Sequence, residues 1–206
     1  MDYKAKIFFG LLLMSIFSCG FSETKKLDNS LRKTIDENNC QLELKSVQKN
    51  DEKSLHLKLI DRSDSLLKYG KVLFDFYNNS SAENLFFDTY SISSNNDVLI
   101  LQISHEQMEN IVKKKNVFDQ DIEVLCNNKN DKFLGKLSSF MLKQIDTVEL
   151  NKILDSFPFN KDNEFEGFSI SENKFISFSR LMNNRKVIIT YSMEDIKNSI
   201  YGFSIY

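Results

Sequence analysis

Three cysteines, two histidines and many carboxylates are the side chains that could do chemistry in this chain of 206 residues. His56 falls in an alternating run, opposite Leu55, Leu57 and Leu59, which predicts a ring facing water. His105 stands beside Glu106 at the start of an expected helix. A His-Glu pair can bind a metal or relay a proton. The zinc-protease spacing, however, needs a second His four residues on, where this chain has Glu109, so a surface-helix position is the expectation. No Gly-x-Ser-x-Gly elbow is present. The glycines at 10, 20, 70, 135, 167 and 202 are scattered, so no loop gathers backbone N–H groups around a phosphate. A Cys-His nucleophile built on Cys40 or Cys126 would have to draw on one of only two histidines.

Asp119, Asp121 and Glu123 lie at alternate positions, as do Asp162, Glu164 and Glu166. On strands, each trio would share one face and could meet a hard cation such as calcium. Neither has the glycine of a dedicated calcium loop, and charge that guards a strand edge is the expected role. No metal, cofactor or catalytic residue is assigned. Lys113-Lys114-Lys115 is the single basic triplet, expected at a solvated helix end. With 27 Lys and Arg against 29 Asp and Glu, no clustered basic field exists for nucleic acid, and none is expected as a partner.

The third cysteine has a different setting. Lys4 and Lys6 precede an apolar run from Ile7 to Met14 that continues through Ser15, Ile16 and Phe17 to Ser18 and Cys19. A basic start, a short apolar stretch and a small residue at the break describe a secretory signal peptide, too short for a membrane span. Ile16-Phe17-Ser18-Cys19 resembles a bacterial lipobox. The resemblance implies removal of residues 1–18, acylation of Cys19 (palmitate among its acyl chains) and a lipoprotein anchored in the cell envelope, at the outer membrane. Ser22-Glu23 faintly resembles a surface-export signal, and Asp64-Ser65-Leu66 and Asp146-Thr147-Val148 resemble acceptor tripeptides for O-linked glycans. Envelope compartments are oxidising, so Cys40 and Cys126 are a candidate disulfide, with two strand-borne thiols as the alternative. Closing that loop would stabilise the fold by about 4 kcal/mol.

The elements that must position these groups follow from periodicity. Hydrophobic content of 41% with 27% charged residues specifies a folded body, and its length suits one domain over 40–206. Residues 19–39 read as the lipidated end and a polar tether, although Leu27, Leu31 and Ile35 recur at helical spacing. Alternation over 42–47 and 55–59 predicts a β-hairpin. Residues 66–77 fit a helical stripe and a strand equally. The cluster Asn78-Asn79-Ser80-Ser81 reads as a turn and tips the choice to strand. Further strands are expected over 85–92 and 98–103. Ser104 and Gln107 form a capping-box pattern for a helix that Asn116 can end, with Ile122, Val124 and Cys126 alternating beyond it. Asp146 caps a second helix, Thr147 to Phe157, which Pro158 stops. Strands return over 165–170, 175–178, 187–191 and 201–206.

The stretch Val72 to Phe87, read as strand, turn and strand, and the late hairpin Phe175 to Tyr191 resemble parts of small immunoglobulin-like β-sandwich domains of bacterial envelope proteins. The resemblance implies a mainly β, antiparallel sandwich with one or two short helices. The alternative is an α+β antiparallel sheet with helices on one face. The expectation is a non-enzymatic binding or scaffolding module held to the membrane by lipid, with a protein or small ligand as partner. The alternatives are an inhibitor or immunity-type protein acting through acidic loops such as 160–166, and a carboxylate-dependent envelope hydrolase.

Overall fold

Alternating leucines build the first sheet. In this computed structural model, which describes residues 21–49, 52–61, 63, 65–160, 163–172 and 174–206, β1 (Leu42–Lys49) and β2 (Glu52–Leu59) form the expected antiparallel hairpin. Leu55, Leu57 and Leu59 are fully buried on one face. The signal segment, Cys19, Asp64 and Asp162 lie outside the described residues.

The strand β3 (Thr89–Ser93) runs parallel to β2, and β4 (Leu99–Ser104) returns antiparallel to β3. A parallel pair needs a long crossover. Here it is a helix, α2 (Leu66–Ala82), where strands and a turn were expected. Buried Tyr69, Val72, Leu73, Phe76, Tyr77 and Ser80 recur at three- and four-residue intervals, the period of one helix face. The Asn-Asn-Ser-Ser cluster stays helical because its polar groups find partners. Asn79 Nδ2 donates to Thr34 Oγ1 (3.1 Å) and Glu37 Oε2 (2.9 Å), and Ser80 Oγ donates to the Tyr77 carbonyl (3.0 Å).

Those partners sit on α1 (Phe21–Asn38), which occupies the stretch expected as a tether. Leu27 and Leu31 pack on the core, and Ser30 and Thr34 are buried. The folded body therefore starts at α1 and not at Cys40.

Ser104 opens α3 (His105–Cys126) with both capping-box bonds: its Oγ accepts from Gln107 N, and its own N donates to Gln107 Oε1. The helix does not stop at Asn116. Met108, Ile111, Phe118, Ile122 and Leu125 form one continuous buried stripe, so the apparent alternation at 122–126 is helical. Two short helices, α4 (Asn130–Leu134) and α5 (Ser139–Leu142), lead to α6 (Thr147–Ser156). Its first-turn N–H groups, on Val148 and Glu149, bond to Asp146 Oδ1, as its sequence predicts.

The second sheet is an antiparallel meander of β5 (Asn163–Ser171), β6 (Phe175–Met182), β7 (Arg185–Ser192) and β8 (Ile200–Ile205), in that order. Helix α3 lies across it, with Phe118 stacked on Phe178 at 5.4 Å. Helix α2 meets the edge strand β5 backbone to backbone. A Cβ at Gly70 would stand 2.0 Å from the Phe168 carbonyl oxygen, and one at Gly167 (φ +128°) 1.9 Å from that of Leu67.

The fold is thus α+β, with two open four-stranded sheets and, among the described residues, six helices. This replaces the mainly β immunoglobulin-like sandwich. Of the two stretches that carried that resemblance, 175–191 forms the β6–β7 hairpin, while Val72 to Ala82 is helix. The parallel β2–β3 pair also separates the first sheet from the purely antiparallel alternative.

Candidate functional site: a polar trough

Two helical stripes face each other where α1 meets α2. On α1 they are Lys33, Thr34, Glu37 and Asn38. On α2 they are Lys71, Asp75, Asn78 and Asn79, spaced by three or four residues. Lys71 Nζ donates to Asn38 Oδ1 (3.0 Å) and pairs with Asp75 Oδ2 (3.4 Å). Asn38 Nδ2 closes the triangle on Asp75 Oδ2 at 3.0 Å. Lys33 Nζ stands 3.8 Å from Glu37 Oε1. Opposite them, the start of β5 brings Asn163, Glu164 and Phe165. The space enclosed is an open depression of about 590 Å³.

Asn163 is also a wall of a second depression, of about 230 Å³, between α3 and β6. Its other walls include Asp119, Glu123, Cys126 and Arg180. The Arg180 guanidinium donates through Nη1 to Asn163 Oδ1 and through Nη2 to Asp119 Oδ1, and lies 5.7 Å from the Phe118 ring centre. Its Nε is buried with no hydrogen-bond partner among the described residues. Lys115 Nζ holds Asp119 Oδ2 at 2.6 Å and sits 4.7 Å above the Phe165 ring, which links the two depressions electrostatically.

No protein-family model, curated protein or solved structure matches this chain.

The residues singled out in the sequence fall in separate places. Cys40 is buried between α1 and β1, and burial, with Asp61 nearby, pushes its thiol up to about 11. Cys126 ends α3, lines the smaller depression and donates from Sγ to the Asn160 carbonyl at 3.1 Å. The structure carries both as thiols, so the candidate disulfide is not formed in it. Neither cysteine is on a strand.

His56 does not face water freely. Its Nδ1 lies 2.8 Å from Ser91 Oγ and its Nε2 3.0 Å from Ser93 Oγ. Because the Ser91 hydroxyl donates to the Leu55 carbonyl, Nδ1 must carry the proton and Nε2 must accept from Ser93. Burial, then the Lys45 charge, lowers the imidazole pKa and keeps it neutral. This is the geometry of a general base on a hydroxyl, but Ser93 is only 1% exposed, and neither depression reaches it.

His105 is half-buried among Tyr77, Phe86 and Tyr90, with Nε2 3.7 Å from Glu109 Oε1. Burial pushes the Tyr90 hydroxyl up to about 12.

The first carboxylate trio is dispersed because it lies on a helix. Asp119 faces the trough, Glu123 is exposed, and Asp121 is fully buried, accepting from the Tyr191 hydroxyl (2.8 Å) and Lys136 Nζ. Burial and the Asp121 charge hold the Tyr191 pKa well above its ordinary value. Of the second trio, Glu164 is at the trough and Glu166 binds Ser179 Oγ (2.7 Å) and Lys186 Nζ (3.0 Å). Among the described residues no cluster of His, Cys, Asp and Glu could hold a metal ion. The lysine triplet is not one solvated end either. Lys114 is buried and donates to the Asp195 carbonyl (2.5 Å) and Asn198 Oδ1 (2.7 Å).

Proposed function

We propose that this chain is a lipoprotein, held in the outer membrane of a cell envelope through Cys19, whose folded body is a binding module rather than an enzyme. The observation that carries the binding half is the trough. Its carboxylates and amides are tied to one another, as Asp75 is to Lys71 and Asn38, and Glu37 to Asn79. Side chains held in place by neighbours make a preformed recognition surface, with less entropy to lose on binding. An acid-base pair needs carboxyl groups in contrasting surroundings, and ion-paired carboxylates on an open surface do not supply them.

The anchoring half rests on Lys4 to Cys19. Gly20 alone separates Cys19 from the start of α1, so the acyl chains would hold the body close against the bilayer. Intact-mass analysis of natively produced protein tests this. The expected mass lacks residues 1–18 and carries acyl chains, and Cys19→Ala leaves the membrane fraction. A chain that retains residues 1–18, or has no acyl group on Cys19, overturns the anchor.

A second reading, an inhibitor-type protein with one protein partner, draws on the β7–β8 loop. Ile196 is 94% exposed there. The loop is held by Asp195 Oδ1 and Oδ2 on the Lys197 and Ser199 N–H groups and by Lys114 from below. A rigid apolar knob loses little entropy on entering a partner's pocket.

A further inference from the structure

The geometry points to a linear, uncharged glycan as the occupant of the trough, lying from the α1–α2 stripes across Asn163 towards Arg180. This rests on the binding-module reading and names its ligand class.

Shape comes first. The two depressions share Asn163 as a wall and are both open, so together they form a run of adjoining subsites rather than a single closed pocket. The larger, about 590 Å³, is within the usual range for ligand sites. A chain of similar units fits such a surface better than one compact molecule.

Charge comes second. The larger depression is lined by Lys33 and Lys71 against Glu37, Asp75 and Glu164. An anion would meet three carboxylates and a cation two ammonium groups. An apolar ligand would strip water from all five charges with nothing to replace it. A ligand dense in hydroxyl groups can donate to the carboxylates and accept from the amides and ammonium groups in their present positions. Each such bond is charge-assisted where a carboxylate or ammonium takes part.

The third observation is a donor in waiting. Arg180 Nε is buried without a partner among the described residues, beside a wall of the smaller depression, where a ligand oxygen could satisfy it. Phe165 adds apolar surface to the floor of the larger depression, against which the C–H face of a sugar ring can rest.

The test is calorimetric titration of the full chain, purified from membranes in detergent, with cello- and chito-oligosaccharides of increasing length. Oligogalacturonate serves as the acidic comparison and chitosan oligomers as the basic one. At least one neutral series is expected to bind more tightly with each added unit until the trough is filled, and both charged series more weakly. Asn78→Ala with Glu164→Gln changes two exposed rim positions and is expected to weaken binding about tenfold while the circular dichroism spectrum is unchanged. Lys33→Ala, at the far end of the trough, is expected to shorten the length at which affinity levels off. Preference for a charged series, no heat with either neutral series, or neutral binding indifferent to all three changes would overturn the assignment. If a chain acylated on Cys19 ignores the neutral sugars, the glycan assignment falls and the anchor stands. An unacylated chain that binds them has the reverse meaning.

Discussion

The two sheets hold α2 in opposite ways. The first presents a face: Leu55, Leu57, Tyr90 and Ile92 are fully buried, and Tyr77 of the helix meets Tyr90 edge-on at 5.1 Å. The second presents an edge. There β5 comes so near that Gly70 and Gly167 each lie against the other element's backbone. A contact between side chains can be trimmed by degrees, because the neighbours relax around a lost methyl group. A contact between backbones has no side chain to trim, so any added atom displaces the helix or the strand. The edge contact also sets the distance between Asp75 and Asn79 on one side and Asn163 and Phe165 on the other. The trough is therefore a consequence of two missing Cβ atoms.

Substitutions can break that contrast. Gly167→Ala is expected to cost more than about 4 kcal/mol, from the clash together with a φ that side chains avoid. Gly70→Ala should be of similar severity. Urea unfolding within about 1 kcal/mol of wild type for either would show that the edge yields as a face does. On the face, Leu57→Ala should cost about 3 kcal/mol and leave a folded, cooperative protein. Under the second sheet, Tyr191→Phe removes the hydroxyl that donates to fully buried Asp121, with an expected loss of about 2 kcal/mol. A neutral result there would mean that Lys136 alone satisfies the carboxylate.

The smallest effect is a pH dependence on the outer face of the first sheet. The folded pKa of His56 lies below its ordinary 6.5, so the folded state favours the neutral ring. Its contribution is complete above about 6.5 and is lost as pH falls through the lower folded value. Lys45 and Lys58 oppose the added proton and Asp97 favours it. Thermal melts of His56→Gln should lack this shallow acid limb, and an unchanged limb would assign it to other groups.

What could be read from the sequence tracks how local each signal is. The Ser104–Gln107 box, the Asp146 cap and the β6–β7 hairpin depend on residues a few positions apart, and all three are present. Helix α2 was obscured because it is buried on two sides. Gly70, Phe74 and Asn79 are covered as well as the main stripe, so the contrast between wet and dry faces disappears and Val72 to Tyr77 mimics a strand. Helix α3 was cut short because Ile122, Val124 and Cys126 alternate by coincidence within a helical stripe. The trough was invisible for another reason. It joins α1, α2, α3, β5 and β6 through Asn, Lys and Asp side chains, which have no motif spacing and become neighbours only in the fold. The one usable hint was the regular interval of Lys71, Asp75 and Asn78.

The side-chain amide groups of Asn78, Asn79 and Asn163 report on the trough from three positions, and Ser91 and Ser93 mark the far side of the first sheet. Two-dimensional nitrogen–proton NMR of the labelled chain during titration with a neutral oligosaccharide should move all three amide pairs together along one saturating curve, with the backbone signals of Ser91 and Ser93 still. Shifts confined to the first sheet, or amide pairs that stay fixed while sugar binds, would contradict the account.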